Sequence, residues 1–81
     1  MIPCALYDYI EIACLFHYPV TLTLRSGEQL CGQAMDTVRD AAGRECLKLA
    51  QAEGEQLVVL DQLARLQVTV DNPHFRDVNF S

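Results

Sequence analysis

The side chains of this chain with the clearest chemical potential are two carboxylates near its start, Asp8 and Glu11. No Lys or Arg precedes Arg25, so this part of the chain carries negative charge without a neighbouring cation. Residues three apart lie one turn apart on one face of a helix, and carboxylates placed in this way can bind guanidinium or ammonium groups together. Tyr7, beside them, can stack on a flat ring or donate a hydrogen bond. The pattern indicates binding to a basic surface.

The same residues also fit a structural role. Asp8 and Glu11 have the spacing of a capping box, in which Asp8 accepts a hydrogen bond from an amide at the helix start and Glu11 reaches back. For Asp8, capping and partner contact are not exclusive, and Tyr7 fits packing as well as contact. Asp36 is expected to be structural, bonding a neighbouring turn.

The sequence offers little for catalysis or metal binding. Its cysteines show no C-x-x-C spacing, and although Cys14 and His17 can share a helical face near Cys4, no fourth ligand is evident. We expect all the cysteines to be small buried residues: Cys4, Cys14, Cys31 and Cys46. No nucleophile lies beside a base, and no glycine-rich phosphate loop occurs. We therefore expect no enzyme, no metal and no cofactor.

Net charge limits the classes of partner. The 81 residues include 11 Asp and Glu against 6 Lys and Arg, which gives a formal charge of −5. Phosphate backbones repel such a chain, so we expect a basic protein surface as partner and no direct nucleic-acid binding. The start, Met1-Ile2-Pro3, lacks the features of a signal peptide, and no apolar run is as long as a membrane span. We expect a cytoplasmic monomer that does not bind membranes.

Apolar periodicity predicts the elements that position these side chains. Ile10, Ala13, Cys14 and His17 recur at helical spacing, which predicts a helix over about residues 6–17 with His17 in its last turn, ended by Pro19. Alternating apolar residues and turn signals then predict five strands: Val20–Leu24, Leu30–Asp36, Cys46–Ala50, Leu57–Leu60 and Leu66–Val70.

Details of these strands predict how they join and pack. Gly27 supplies a tight turn, and Gly32 marks a close backbone approach. The continuous apolar run Leu57–Leu60 is typical of a strand buried on both faces. Residues 71–81 are expected to be a tail with Phe75 and Phe80 as anchors. Five short antiparallel strands close most easily into a barrel. We therefore expect one mainly β domain over 1–81, with an N-terminal helix capping a small five-stranded barrel at about 20–70.

Two family resemblances follow from these motifs. The run Leu22-x-Leu24-x-x-Gly27-x-x-Leu30-x-Gly32-x-Ala34-x-Asp36 resembles the first motif of Sm-like barrels, but Leu60-Asp61-Gln62-Leu63 stands where their Ile-Arg-Gly signature belongs. A more specific string is Cys4-x-x-Tyr7-Asp8-x-Ile10-Glu11-Ile12-Ala13-Cys14, followed by Gly27-Glu28-x-Leu30 and Asp36. Over about residues 3–70 the chain resembles the Rho-binding antiterminator family (Rof).

The resemblance implies a function. Members of that family are small Sm-like barrels with an N-terminal helix, and they bind the RNA-binding face of the N-terminal domain of Rho, a ring-shaped helicase that terminates transcription. RNA then cannot load, and Rho-dependent termination is inhibited. Tyr7, Asp8 and Glu11 are the implied contacts, with Arg39 in a second surface formed by the polar loop that runs to Arg44.

This chain departs from the family pattern at four positions of its N-terminal segment. Ala5 and Leu6 stand where acidic residues are expected, and Leu15 and Phe16 stand where polar residues are expected. An interface with a larger apolar share follows. The alternative function is an Sm-like RNA-binding module that assembles into a ring, and the net charge and the missing second motif argue against it.

Overall fold

The computed structural model describes residues 4–73 and 76–80, and for residues 4–6 the backbone alone. One helix, α1 (Cys4–Leu15), precedes the strands. These are β1 (Pro19–Leu24), β2 (Gln29–Arg39), β3 (Glu45–Gln51), β4 (Gly54–Val59), β5 (Leu63–Val68) and β6 (Asp77–Asn79), with a 3-10 turn at Leu60–Gln62 between β4 and β5. The chain is mainly β with an N-terminal helix, as the sequence predicts.

The strands form one antiparallel sheet in the order β4-β3-β2-β1-β5-β6. The expected five-stranded barrel is therefore wrong in two respects: the described strands number six, and they form an open sheet with β4 and β6 at its edges. The likeness to Sm-like barrels stays a prediction. The core lies between the sheet and α1, and several of its large side chains are completely buried: Ile10, Leu22, Leu47, Leu49, Leu63 and Leu66.

The sixth strand lies in the segment expected to be a tail. Val78 and Phe80 are buried, and the amide of Phe80 donates to the carbonyl of Ala64 at 2.8 Å. Asp77 forms a two-pronged ion pair with Arg65 of β5, whose hydrogen bonds hold the pKa of the Asp77 carboxyl below its usual range. These contacts add β6 to the edge of β5. Phe80 thus acts as an anchor, whereas Phe75 lies outside the described residues.

Strand β4 also differs from its prediction. It was expected to be buried on both faces, but it lies at the sheet edge, where Val58 is buried and Leu57 is 44% exposed. The last residue of the apolar run, Leu60, is buried in the 3-10 turn instead of the strand. An unbroken apolar run is therefore compatible with an edge strand when the chain turns immediately after it.

The β1–β2 hairpin confirms both glycine predictions. Gly27 lies in the turn at φ +93°, a conformation that side chains other than glycine rarely adopt. At Gly32, a Cβ atom would lie 2.5 Å from the carbonyl oxygen of Ala50 on β3. The backbones of β2 and β3 can approach this closely because Gly32 has no side chain to keep them apart.

The helix is shifted relative to its prediction. It begins at Cys4, so Asp8 is its fifth residue and cannot cap its start, and the capping-box interpretation is wrong. It ends at Leu15, and His17 lies beyond it at φ +52° instead of in the last turn. The amide of His17 donates to the carbonyl of Cys14, and that of Tyr18 to the carbonyl of Ala13. This is a Schellman ending, so the left-handed residue ends the helix before Pro19 is reached.

Candidate partner-binding site

The outer face of α1 presents the two predicted carboxylates. Asp8 and Glu11 are exposed, while Ile10 and Ala13 of the inner face are completely buried against the sheet. Since the inner face carries the apolar residues, packing of α1 turns both carboxylates toward solvent. Because neither carboxylate caps the helix, both lie accessible at the surface of the protein.

Tyr7 lies at the side of this face, over the end of the β2–β3 hairpin. It lines a surface pocket of about 280 Å³ with four hairpin residues, Thr37, Val38, Arg39 and Glu45. Burial is the largest cause that raises the pKa of Tyr7. A hydrogen bond with the side chain of Thr37 opposes the rise in part, and the hydrogen bond and charge of the Glu45 carboxylate add to it. In this contact the phenol hydroxyl is the donor, because an ionised carboxylate can only accept a hydrogen bond.

Arg39 lines the same pocket, so the structure brings two of the predicted contacts together. Its guanidinium lies 3.6 Å from a carboxylate oxygen of Glu45 and donates to the carbonyl of Gly43 at 2.8 Å. Its charge is therefore balanced within the protein. Asp8 and Glu11 do not line the pocket and belong to the outer face of α1 beside it.

The loop after β2 is held by one carboxylate. Asp40 accepts hydrogen bonds from the amides of Ala42 and Arg44, both at 2.9 Å, and from the Nε of Arg44 at 2.8 Å. The amide of Arg44 is the largest cause that holds the pKa of Asp40 below its usual range. The loop thus has a defined shape, and its acidic and basic groups compensate each other.

Of the acidic residues near α1, Glu45 was not a candidate in the sequence, and Asp36 was expected to be structural. Burial is the main cause that raises the pKa of the Cys14 thiol to about 12, and the negative charges of Asp36 and Glu11 add to the rise. Asp36 accepts a hydrogen bond from the amide of Thr37, its neighbour on β2, at 2.8 Å. Within the described residues, the bond to a neighbouring turn that was expected is not formed. Glu45 was missed because its contact with Tyr7 joins α1 to β3, and no local pattern signals such a contact.

The cysteines divide into buried and exposed. Cys14 and Cys46 are buried as expected, whereas Cys31 on β2 is exposed and its expected burial is wrong. The side chain of Cys4 lies outside the described residues. Across residues 4–73 and 76–80, the structure holds no cluster of three or more His, Cys, Asp or Glu side chains suited to a metal ion.

An apolar patch completes this side of the molecule. Leu15 is 73% exposed and Phe16 is 50% exposed. The ring of Phe16 stacks on that of Tyr18, with centroids 5.4 Å apart and planes inclined by 20°. Leu15 is seven residues from Asp8 and four from Glu11, which places it on the same helical face. We call Asp8, Glu11, Leu15 and Phe16 the outer surface of α1.

The part of this acidic chain that the structure describes is one α-helix packed on a six-stranded antiparallel sheet. The family model described as "Modulator of Rho-dependent transcription termination (ROF)" matches residues 1–80, and the chain belongs to this family. This confirms the resemblance to the Rof family. The description is that of a regulator of termination, and it implies Rho as partner.

Comparison with solved structures supports the assignment. The structure titled "YaeO bound to Magnesium from Vibrio cholerae O395" is similar, with a TM-score of 0.89 and 45% sequence identity. The match covers 93% of this chain and 97% of that one. A search of curated proteins gives no match. Among the described residues there is no helix with the length and apolar character that crossing a membrane requires.

Proposed function

We propose that this chain binds Rho directly, covers the RNA-binding face of its N-terminal domain, and thereby prevents RNA from loading and inhibits termination. The chain acts as a cytoplasmic, single-domain monomer and without binding RNA itself. The observation that carries the proposal is the pair of exposed carboxylates, Asp8 and Glu11, on a helix without a basic residue. Sites for single-stranded RNA are cationic grooves with stacking platforms, so an acidic helix is complementary to them.

Tyr7 and the pocket beside it extend this contact surface. Glu45 and Arg39 at the pocket form an exposed ion pair, and such pairs contribute little to stability, so either partner can exchange for a charged group of Rho. Tyr7 lines the pocket together with this pair and directly precedes Asp8 on α1. The contact surface therefore runs from the outer surface of α1, across Tyr7, to the start of the 39–45 loop.

Displacement of RNA from Rho tests the proposal. We expect the chain to lower, in a dose-dependent way, the fluorescence anisotropy of a labelled oligocytidine bound to Rho, because both ligands need the same face. Raising salt from low to physiological concentration is expected to weaken the chain–Rho complex several-fold, since long-range attraction between opposite charges is screened.

The controls separate this mechanism from its alternatives. The chain is first mixed with the labelled RNA in the absence of Rho, and no change in anisotropy is expected. A ternary complex in which Rho keeps its full affinity for RNA would exclude the proposed mode of inhibition. A rise in anisotropy with the chain alone, together with a ring-sized species on a sizing column, would support the Sm-like RNA-binding alternative.

A further inference from the structure

Phe16 is an exposed aromatic ring that the fold holds in place. Four large hydrophobic residues of the described chain are exposed, and Phe16 is the aromatic one among them. An aromatic side chain normally contributes to stability by burial, yet half of Phe16 remains accessible. Its position directly after α1, next to Leu15, makes it continuous with the carboxylates of the outer surface.

Several contacts fix the support on which this ring stacks. Tyr18 donates its amide to the carbonyl of Ala13 at 2.9 Å and accepts at its own carbonyl from the amide of Ala34, also at 2.9 Å. His17, which lies between Phe16 and Tyr18 in the sequence, takes the left-handed conformation. Its Nδ1 lies 3.2 Å from the carbonyl oxygen of Ala34. This left-handed residue belongs to the Schellman ending of α1, and the hydrogen bonds on both sides of it hold the turn. The turn therefore presents Phe16 in a fixed orientation.

We propose that Phe16, backed by Tyr18 and flanked by Leu15, enters a base-stacking site on the RNA-binding face of Rho. This inference rests on the proposed function and adds the ring of Phe16 to the proposed contacts with Rho. Asp8 and Glu11 take the places of phosphates in the cationic groove, and Phe16 takes the place of a base. Sites for single-stranded RNA combine these two features, and the outer surface of α1 offers the complement of each at neighbouring positions.

Tyr7 is the other aromatic residue beside the carboxylates, and its surroundings give it a different role. Its hydroxyl is engaged with Glu45 and Thr37 at the pocket, and the residue is half-buried. Its ring is thus held against the β2–β3 hairpin. Phe16 carries no polar group, and a larger fraction of its surface is exposed than that of Tyr7. Phe16 is therefore the better match to a stacking site.

Replacing Phe16 tests the inference. We expect Phe16→Ala to weaken binding to Rho about 5- to 150-fold, the range that corresponds to loss of one stacking aromatic ring, with an unchanged dependence of affinity on salt. Phe16→Trp keeps a stacking ring and is expected to bind within about threefold of the unsubstituted chain. Leu57→Ala is the matched control, because Leu57 is similarly exposed but lies on the edge strand β4. It is expected to leave affinity unchanged.

Thermal melting of each variant verifies that the fold is kept, and Phe16→Trp provides the test if the alanine variant melts early. Equal affinity of Phe16→Ala and the unsubstituted chain would overturn the inference, and so would a tryptophan variant as weak as the alanine variant. Sedimentation of the chain alone tests whether a second copy of this chain, instead of Rho, covers Phe16. A dimer that Phe16→Ala converts to monomer, without loss of Rho binding, would also overturn it. The proposed function fails separately, if the unsubstituted chain does not displace RNA.

Discussion

Reversing the charges of Asp8 and Glu11 together, as Asp8→Lys with Glu11→Lys, is expected to weaken binding to Rho by at least about a hundredfold. Each carboxylate is expected to make a charge-assisted hydrogen bond worth about 1.5–3 kcal/mol, and a lysine in its place adds repulsion from the basic groove. Both residues are exposed and neither caps α1, so the variant is expected to fold. Isothermal titration with purified Rho measures the loss, and thermal melting measures folding.

The chain offers a matched control for this change. Glu28 and Glu53 are exposed and lie in the β1–β2 and β3–β4 turns. The β3–β4 turn lies at the opposite end of β3 from Glu45, about 20 Å away along the strand. Glu28→Lys with Glu53→Lys alters the net charge by the same amount and is expected to retain most of the affinity. If the two double variants lose affinity equally, overall charge and not the outer surface of α1 governs binding.

Gly32→Ala is expected to lower the free energy of unfolding by about 3 kcal/mol. The added Cβ would lie 2.5 Å from the carbonyl oxygen of Ala50 and 2.8 Å from the Cγ of Leu49. The first of these atoms belongs to the backbone of β3, so relief requires the β2–β3 pairing to shift. A chain of this length is stable by only about 4–12 kcal/mol, so a large fraction of the stability is lost.

Urea denaturation measures this effect, and Gly27→Ala is the comparison. Nothing lies within 4 Å of a Cβ built on Gly27, so its substitution is expected to cost only the strain of the left-handed backbone, about 1–2 kcal/mol. Gly32→Ala with the same midpoint as the unsubstituted chain would contradict the close approach of β2 and β3 at this position.

Local signals in the sequence predict the parts of the fold that local physics determines. The β1–β2 hairpin was predicted because alternation around Gly27 sets both strands and the turn, and Gly32 was correctly identified as a close approach. Strand β6 was missed because three residues with one buried side chain, Val78, leave no periodic signal. It becomes a strand through tertiary contacts, among them the ion pair of Arg65 with Asp77.

The same distinction applies to the candidate site. Asp8 and Glu11 were predicted as surface carboxylates because the adjacent sequence contains no Lys or Arg that could pair with them. The predicted cap was wrong because the helix begins at Cys4, about one turn before the start that a cap at Asp8 requires. The first residue of a helix is difficult to predict from sequence to within one or two positions. The partnership of Tyr7 with Glu45 joins residues 38 positions apart, and only packing of α1 on the hairpin creates it.

A structure of the chain bound to Rho tests the central claim most directly, because the claim concerns which surface makes the contact. We expect the outer surface of α1 to face Rho, with Asp8 and Glu11 within about 4 Å of Arg or Lys side chains of the RNA-binding face. A complex in which α1 faces solvent and Rho is held by the opposite side of the sheet would contradict the account.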